Sequence, residues 1–192
     1  MNKYDRRRKY YMVLDCETAT LPHAIKYDEV ERKNVAIAKP LIYDLGWKIV
    51  DRNGNVYNRV NFLISEIFSV PTIFDTAYYK DKRPIYLEKL KKGEISLVDW
   101  QTAMTALVDD LQACEAVGAY NSMFDFKKAI PFTELYINQL YSADFHKWLK
   151  FQNECCERIV NDTVIGNNKE FDPNCFRFRN KEYPLFDLWG LS

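Results

Sequence analysis

The sequence has few glycines and prolines, with 6 and 7 respectively in 192 residues. Hydrophobic residues make up 47% and charged residues 28%, which is typical of a folded globular chain and not of a disordered or low-complexity one. No internal repeat is present. The length suits one sizeable core, so we expect residues 1–192 to form a single domain.

Long apolar runs and net charge are also lacking. No segment reaches the ~20 apolar residues that a membrane-spanning helix needs, and the polar, charged N-terminus is unlike a signal peptide. We therefore expect no membrane partner. The formal net charge is zero, which argues against broad polyanion binding by charge alone but does not exclude a local basic groove.

Cysteine usage gives no sign of a disulfide framework. The chain has 5 cysteines, an odd number, and contains no C-x-x-C pair. This usage is typical of reduced thiols in a cytosol, so we expect a cytoplasmic protein. A zinc site built from His146 and the last three cysteines would fit no common ligand spacing.

An apolar run at residues 10–14 ends in two acids, Asp15 and Glu17. Such a run suits a strand buried on both faces. Residues two apart on a strand point the same way, so both carboxylates leave its carboxyl end together, where open α/β sheets usually bind ligands. Neighbouring like charges are costly unless a cation neutralises them, and carboxylates favour Mg²⁺ or Mn²⁺. Two solvated acids in a turn are the alternative interpretation.

Local patterns predict a mixture of strands and helices after this strand. Residues 18–39 are expected to form a loop with one short helix. Residues 40–50 and 56–64 predict two antiparallel strands, because an Asn-Gly pair between them is typical of a tight hairpin turn. Residues 96–114 predict the clearest helix, with Ser96 as its cap and an apolar stripe along one face.

The second half of the chain predicts another buried strand and its helix. Residues 116–120 predict the strand, and Asn121 or Ser122 is expected to cap the helix that follows. Pro131 is expected to end or kink that helix. Further strands are expected at residues 175–179 and 183–189. This order of elements indicates the α/β class.

Two motifs at strand and helix ends carry a family resemblance. Asp15-Cys16-Glu17-Thr18 and Asn121-Ser122-Met123-Phe124-Asp125 resemble the D-x-E-T and N-x-x-F-D motifs of the DEDD superfamily of 3′–5′ exonucleases. The nearest branch is the proofreading, epsilon-like one of phage and prophage exonucleases. The resemblance covers roughly residues 9–190. It implies a ribonuclease H-like mixed sheet, with the first three strands antiparallel and later strands parallel to the first.

The resemblance implies two-metal hydrolysis of phosphodiester bonds at DNA or RNA 3′ ends, with single strands favoured. Asp15, Glu17 and Asp125 would be the catalytic carboxylates and the ligands of Mg²⁺ or Mn²⁺. For Asp125, the structural alternative is an ordinary acid in the first turn of a helix. The residues alone do not decide between DNA and RNA.

Further positions match the family's nucleotide-binding and supporting residues. The resemblance places Thr18, Asn121 and Phe124 against the terminal nucleotide, and it makes Asp187 a residue that supports the site. A capping asparagine and a core phenylalanine are the structural alternatives for Asn121 and Phe124.

The sequence departs from the family at the third motif, H-x₄-D, which should follow the Phe186-Asp187-Leu188 strand. No such motif follows it, so we expect a C-terminally truncated domain that lacks its last helix. Absence of a general base typically costs ~10²–10⁴-fold in rate. The chain is therefore expected to bind one metal ion or none, to be weak or inactive, and to expose an apolar face. A homodimer through that face is one hypothesis.

Two other interpretations remain open. One is a non-catalytic nucleic-acid-binding or interaction module on the same fold. The other is a plain α/β structural protein whose motifs arose by chance, which large separations between Asp15, Glu17 and Asp125 would favour.

Overall fold

A mixed sheet flanked by helices forms the centre of the computed structural model, which describes residues 4–5, 7–20, 25–28, 33–36, 40–140, 175–178 and 181–188. The α/β class is confirmed. The strands are β1 (Tyr10–Thr20), β2 (Ile25–Asp28), β3 (Lys33–Ala36), β4 (Pro40–Asp51), β5 (Val56–Ile64), β6 (Ser96–Val98), β7 (Cys114–Ala119), β8 (Cys175–Phe178) and β9 (Lys181–Asp187). The helices are α1 (Ser65–Phe68), α2 (Pro71–Phe74), α3 (Arg83–Lys91), α4 (Trp100–Leu111), α5 (Ser122–Phe124) and α6 (Ile130–Leu140). Within this part of the chain, no helix is long and apolar enough to cross a membrane.

The main sheet has the strand order β6-β5-β4-β1-β7-β9-β8. Strands β1, β4 and β5 pair antiparallel, whereas β7 runs parallel to β1 and β9 parallel to β7. The predicted change from antiparallel to parallel pairing is therefore confirmed. Edge strand β8 does not have the predicted parallel direction and pairs antiparallel with β9, because only a hairpin can join two strands through so short a connection.

The prediction of a loop with a short helix at residues 18–39 is wrong. β1 continues to Thr20, and β2 and β3 pair as a separate antiparallel ribbon. The end of β1 is fixed by Thr76, whose hydroxyl accepts a 2.7 Å bond from the Thr20 N–H and lies 2.7 Å from the Thr20 carbonyl. These bonds join residues 56 positions apart, so a local pattern gives no sign of them.

The predicted cap of the long helix is also wrong. Residues 96–98 form β6, which pairs parallel with β5, and Asp99 is the cap, accepting a 2.7 Å bond from the Thr102 N–H. Leu97 is 44% exposed and lies outside the apolar stripe. The stripe itself is confirmed, since it is buried at Trp100, Ala103, Met104, Leu107 and Leu111.

A buried carboxylate, Asp110, fastens α4 to the sheet. Its oxygens accept bonds from the Tyr4 hydroxyl at 2.6 Å, the Trp47 indole N–H at 2.8 Å and the Asn58 amide at 2.6 Å. Asp110 is 4% exposed, and a carboxylate so buried needs donors of this kind. These bonds fix α4 against β4 and β5.

The helix after β7 begins as predicted, with the Asn121 side chain accepting a 3.2 Å bond from the Phe124 N–H. A π-helical turn then covers Asp125–Ala129. Pro131 does not end the helix, because α6 continues past it. Proline lacks the N–H that would bond the fourth residue back, and the irregular turn lies immediately before it.

Candidate active site

Asp15 and Glu17 leave β1 on one face, as strand alternation requires. Asp15 is exposed and Glu17 is half-buried. The register places Glu17 directly opposite Asp44 of β4, and a bulge follows between Glu17 and Thr18. Like charges directly opposite each other destabilise a sheet. The end of β1 therefore carries an electrostatic cost in its metal-free form.

Sequence reasoning missed Asp44. Its carboxylate accepts a 2.8 Å bond from the Asn61 amide, and it interacts with the Tyr86 hydroxyl of α3. Beside it, Tyr43 is fully buried, and its hydroxyl forms no hydrogen bond of normal geometry with any residue that the structure describes, although Tyr86 lies nearby. The available signal was an acid inside the otherwise apolar start of a strand that runs antiparallel to the D-x-E strand.

Asp125 reaches the same strand from its other face. It lies in the π-helical turn, is 4% exposed, and accepts a 2.9 Å bond from the Cys16 thiol. Cys16 alternates with Asp15 and Glu17, so it points away from the face on which they lie. Even so, the Asp125 charge interacts with both of them. The two motifs are thus neighbours in space.

Each of these carboxyl groups has a raised pKa, and burial is the main cause. The pKa of Glu17 rises to about 7, with the charges of Asp15 and Asp44 as further causes and Lys82 opposing them. The pKa of Asp125 rises to about 6, with Asp15 contributing. The pKa values of Asp15 and Asp44 are raised as well. Shifts of this kind favour neutral carboxyl groups unless a cation is present, and they cluster at functional sites.

The chemistry of this donor set suits Mg²⁺ or Mn²⁺, since hard oxygen ligands dominate it. In the described part of the chain, however, no three histidine, cysteine, aspartate or glutamate side chains come close enough together to hold one ion. Both histidines, His23 and His146, lie outside the described residues. So do Cys155 and Cys156, two of the cysteines considered above for a zinc site. An H-x₄-D spacing does occur at His23 and Asp28, but far earlier in the chain than the family motif.

The remaining predicted site residues lie near the same end of the sheet. Thr18 is half-buried at the bulge. Asn121 is the cap of α5, and Phe124 packs against the core, so both have the structural roles weighed as alternatives. Asp187 is exposed at the end of β9, paired with Ala119. None of these contacts tests a nucleotide-binding role.

Comparison with known proteins adds no identification. No protein-family model matches the chain, and no curated protein or solved structure is significantly similar to it. Inferences about function therefore rest on the two motifs and on the geometry around them.

The metal-free protein is expected to lose stability as the pH rises from about 4 to 7. Raised carboxyl pKa values mean that the folded state binds more protons than the unfolded one across this range, so the free energy of unfolding falls with pH. Asp125 alone, with a pKa near 6, accounts for about 2–3 kcal/mol. Urea unfolding between these pH values measures the change.

Divalent cations should reverse this loss. At pH 8, Mn²⁺ at about 100 times its Kd should raise the free energy of unfolding by about 2.7 kcal/mol, with little effect at pH 5, where protons occupy the carboxyl groups. The exposed variant Asp109→Asn is the control and should keep both profiles. Stability that rises with pH in the metal-free protein would contradict the prediction.

Proposed function

We propose that this chain is a metal-dependent 3′–5′ exonuclease domain with a ribonuclease H-like fold. The observation that carries the proposal is the pairing of Glu17, from the D-x-E-T motif, with Asp44, while Asp125 from the N-x-x-F-D motif interacts with Glu17. Two strands and the π-helical turn thus bring acids to one end of β1. Such an arrangement is costly without a cation and is useful with one.

The sheet topology supports the same proposal. Antiparallel pairing of β5, β4 and β1, followed by parallel pairing of β7 and β9, is the arrangement that the resemblance implies. A fold of this kind hosts several activities, so the proposed chemistry depends on the acids and not on the sheet alone.

Asp15, Glu17 and Asp125 would hold Mg²⁺ or Mn²⁺, which when bound supplies a more acidic water and neutralises the phosphate. Burial of Asp125 and of part of Glu17 excludes water from the carboxylates and strengthens their attraction for a cation. Thr18 lies beside them. The Asn121 side-chain oxygen is used by the cap, which leaves its amide N–H groups to contact a terminal nucleotide.

We propose that hydrolysis by this chain is slow. No H-x₄-D spacing follows the N-x-x-F-D motif in this sequence, because Phe151 stands five residues after His146. Attack by water would then depend on the metal alone. A missing general base typically lowers the rate by ~10²–10⁴-fold.

The test is Mn²⁺-dependent release of mononucleotides from a 5′-labelled single strand. We expect a ladder that shortens from the 3′ end, abolished by EDTA and supported by Mn²⁺ or Mg²⁺. Parallel DNA and RNA substrates identify the preferred sugar. A 3′-blocked strand should resist, and cleavage at internal positions would contradict the exonuclease assignment.

A non-catalytic nucleic-acid-binding module is the second candidate. It is favoured by the bond between Asp125 and Cys16, because Cys16 points away from the face of β1 that carries Asp15 and Glu17. In that case, Asp15→Ala and Asp125→Ala should leave Mn²⁺ affinity unchanged, and oligonucleotide binding should occur without release of nucleotides.

For the homodimer hypothesis, sedimentation at high concentration is the measurement, and a strict monomer argues against it.

A further inference from the structure

A cleft of about 790 Å³ lies between the sheet and α3. Its floor is the face of β1, β4 and β5 that carries Asp15 and Asp44, and its wall is formed by Tyr86 and its neighbours in α3. We refer to it as the β4–β5 cleft. Its volume is in the range of about 300–1,000 Å³ that encloses small ligands.

Four cations line the β4–β5 cleft. Lys48 and Arg59 face each other across β4 and β5, and Lys82 and Lys89 approach from α3 and the turn before it. None of the four forms an ion pair with any residue that the structure describes. Lys82 lies over the Tyr79 ring, 3.6 Å from its centre, and the acid Glu94 belongs to the same lining. Four cations in one cleft attract an anion with several charges.

The cations and acids occupy two rows of the same sheet face. Glu17 and Asp44 form one row, and Lys48 with Arg59 forms another four residues further along β4, which is about 13 Å along the strand. Lys82 and Lys89 of the cleft lie close enough to Glu17 and Asp44, respectively, to interact with their charges. An extended anion that enters at the basic row therefore has its end at the acids.

A third row lies between these two. Gly46 lies there, opposite Asp15 on one side and Asn61 on the other. A side chain at this position would come within 3.1 Å of the Asn61 amide nitrogen. Glycine therefore leaves room for the Asn61 amide, which donates a 2.8 Å bond to Asp44. On the wall, Ile85 is 52% exposed between Lys82 and Lys89, at a helical spacing that places all three on one face.

We propose that the β4–β5 cleft binds the sugar-phosphate backbone of a single nucleic-acid strand, with its 3′ end at the acid row and its preceding phosphates on the four cations. This inference rests on the proposed function and assigns its substrate path. One strand suits a cleft of this volume, with Ile85 in contact with a sugar or base.

The test is binding of a fluorescein-labelled oligothymidylate in EDTA, which removes any contribution from catalysis. The double variant Lys48→Ala/Arg59→Ala should bind at least about tenfold more weakly, because each lost contact to phosphate is charge-assisted. Between about 50 and 200 mM salt, the slope of log K against log salt should fall by about 1.4, as expected for two lost phosphate contacts. Lys82→Ala/Lys89→Ala should behave in the same way.

The matched control is Arg52→Ala/Lys91→Ala, which removes equal charge from exposed positions outside the cleft and should change affinity less than twofold. Equal weakening in the control, unchanged binding in the cleft variants, or no binding by the wild-type protein would overturn the proposal. Tighter binding of a blunt duplex would overturn its single-strand part. Nucleotide release with unchanged KM in the cleft variants would refute the cleft and leave the exonuclease standing. Oligonucleotide binding that is weakened in the cleft variants, without nucleotide release by the wild-type protein, would support the cleft and refute the exonuclease.

Discussion

Replacing Asp125 by asparagine is expected to lower Mn²⁺-dependent nucleotide release by about 10²–10⁴-fold, as for other positioned charged groups. The same change should stabilise the metal-free protein at pH 8. Asp125 is buried with a pKa raised to about 6, so its charge costs folding energy, and asparagine removes about 1–3 kcal/mol of that cost. Its side-chain oxygen still accepts the bond from the Cys16 thiol.

Two measurements separate these effects. Urea unfolding at pH 8 in EDTA gives the gain in stability, and titration with Mn²⁺ gives the loss of affinity. Asp109→Asn is the matched control, since this neighbour of Asp110 is exposed on α4, and it should change neither quantity. An Asp125→Asn protein that is less stable at pH 8, or that binds Mn²⁺ as tightly as the wild-type protein, would contradict the assignment.

The positions of several sheet strands could be predicted because they follow from local signals. An apolar run, an Asn-Gly turn and an Asn121 cap each act over a few residues. The β1, β4 and β7 strands were placed correctly on such signals. Parallel pairing of β7 with β1 was implied by the family resemblance, and it agrees with the crossover connection that parallel strands need.

Long-range pairing explains what could not be predicted. Asp44 could not be assigned to the site from the sequence, because only the register between β1 and β4 places it opposite Glu17. Ser96 and Asp99 are both residue types that can cap a helix. Because residues 96–98 pair with β5 as strand β6, the helix begins after Asp99, which is its cap. Side-chain contacts such as Thr76 with Thr20 join distant segments. None of these contacts leaves a periodic pattern in the sequence.

The acids illustrate how a motif and a site differ. The D-x-E-T motif fixes which face Asp15 and Glu17 share, but the cost of placing them depends on Asp44 and Asp125, which arrive from other elements. Because the charges of four carboxyl groups are coupled, protonation and cation binding compete at this end of β1. The pH and metal predictions therefore probe the same coupling from two directions.

The largest effect on stability is expected for Asp110→Ala. This change removes the acceptor of the bonds from Tyr4, Trp47 and Asn58, while these donors stay partly or wholly buried. Each buried donor left without a hydrogen-bond partner lowers the free energy of unfolding by about 1–3 kcal/mol. Breaking a buried charged network lowers it by about 3–5 kcal/mol in total. That is a large share of the about 5–15 kcal/mol by which a domain is stable.

Urea unfolding at pH 7 is the measurement for Asp110→Ala, with an expected loss of about 3–5 kcal/mol. Asp109→Ala is the matched control on the next residue and should shift stability by less than about 0.5 kcal/mol. Asp110→Asn should be intermediate, because one oxygen still accepts while the amide adds a donor to a site already filled with donors. A loss below about 1 kcal/mol for Asp110→Ala would show that α4 is held by its apolar stripe alone.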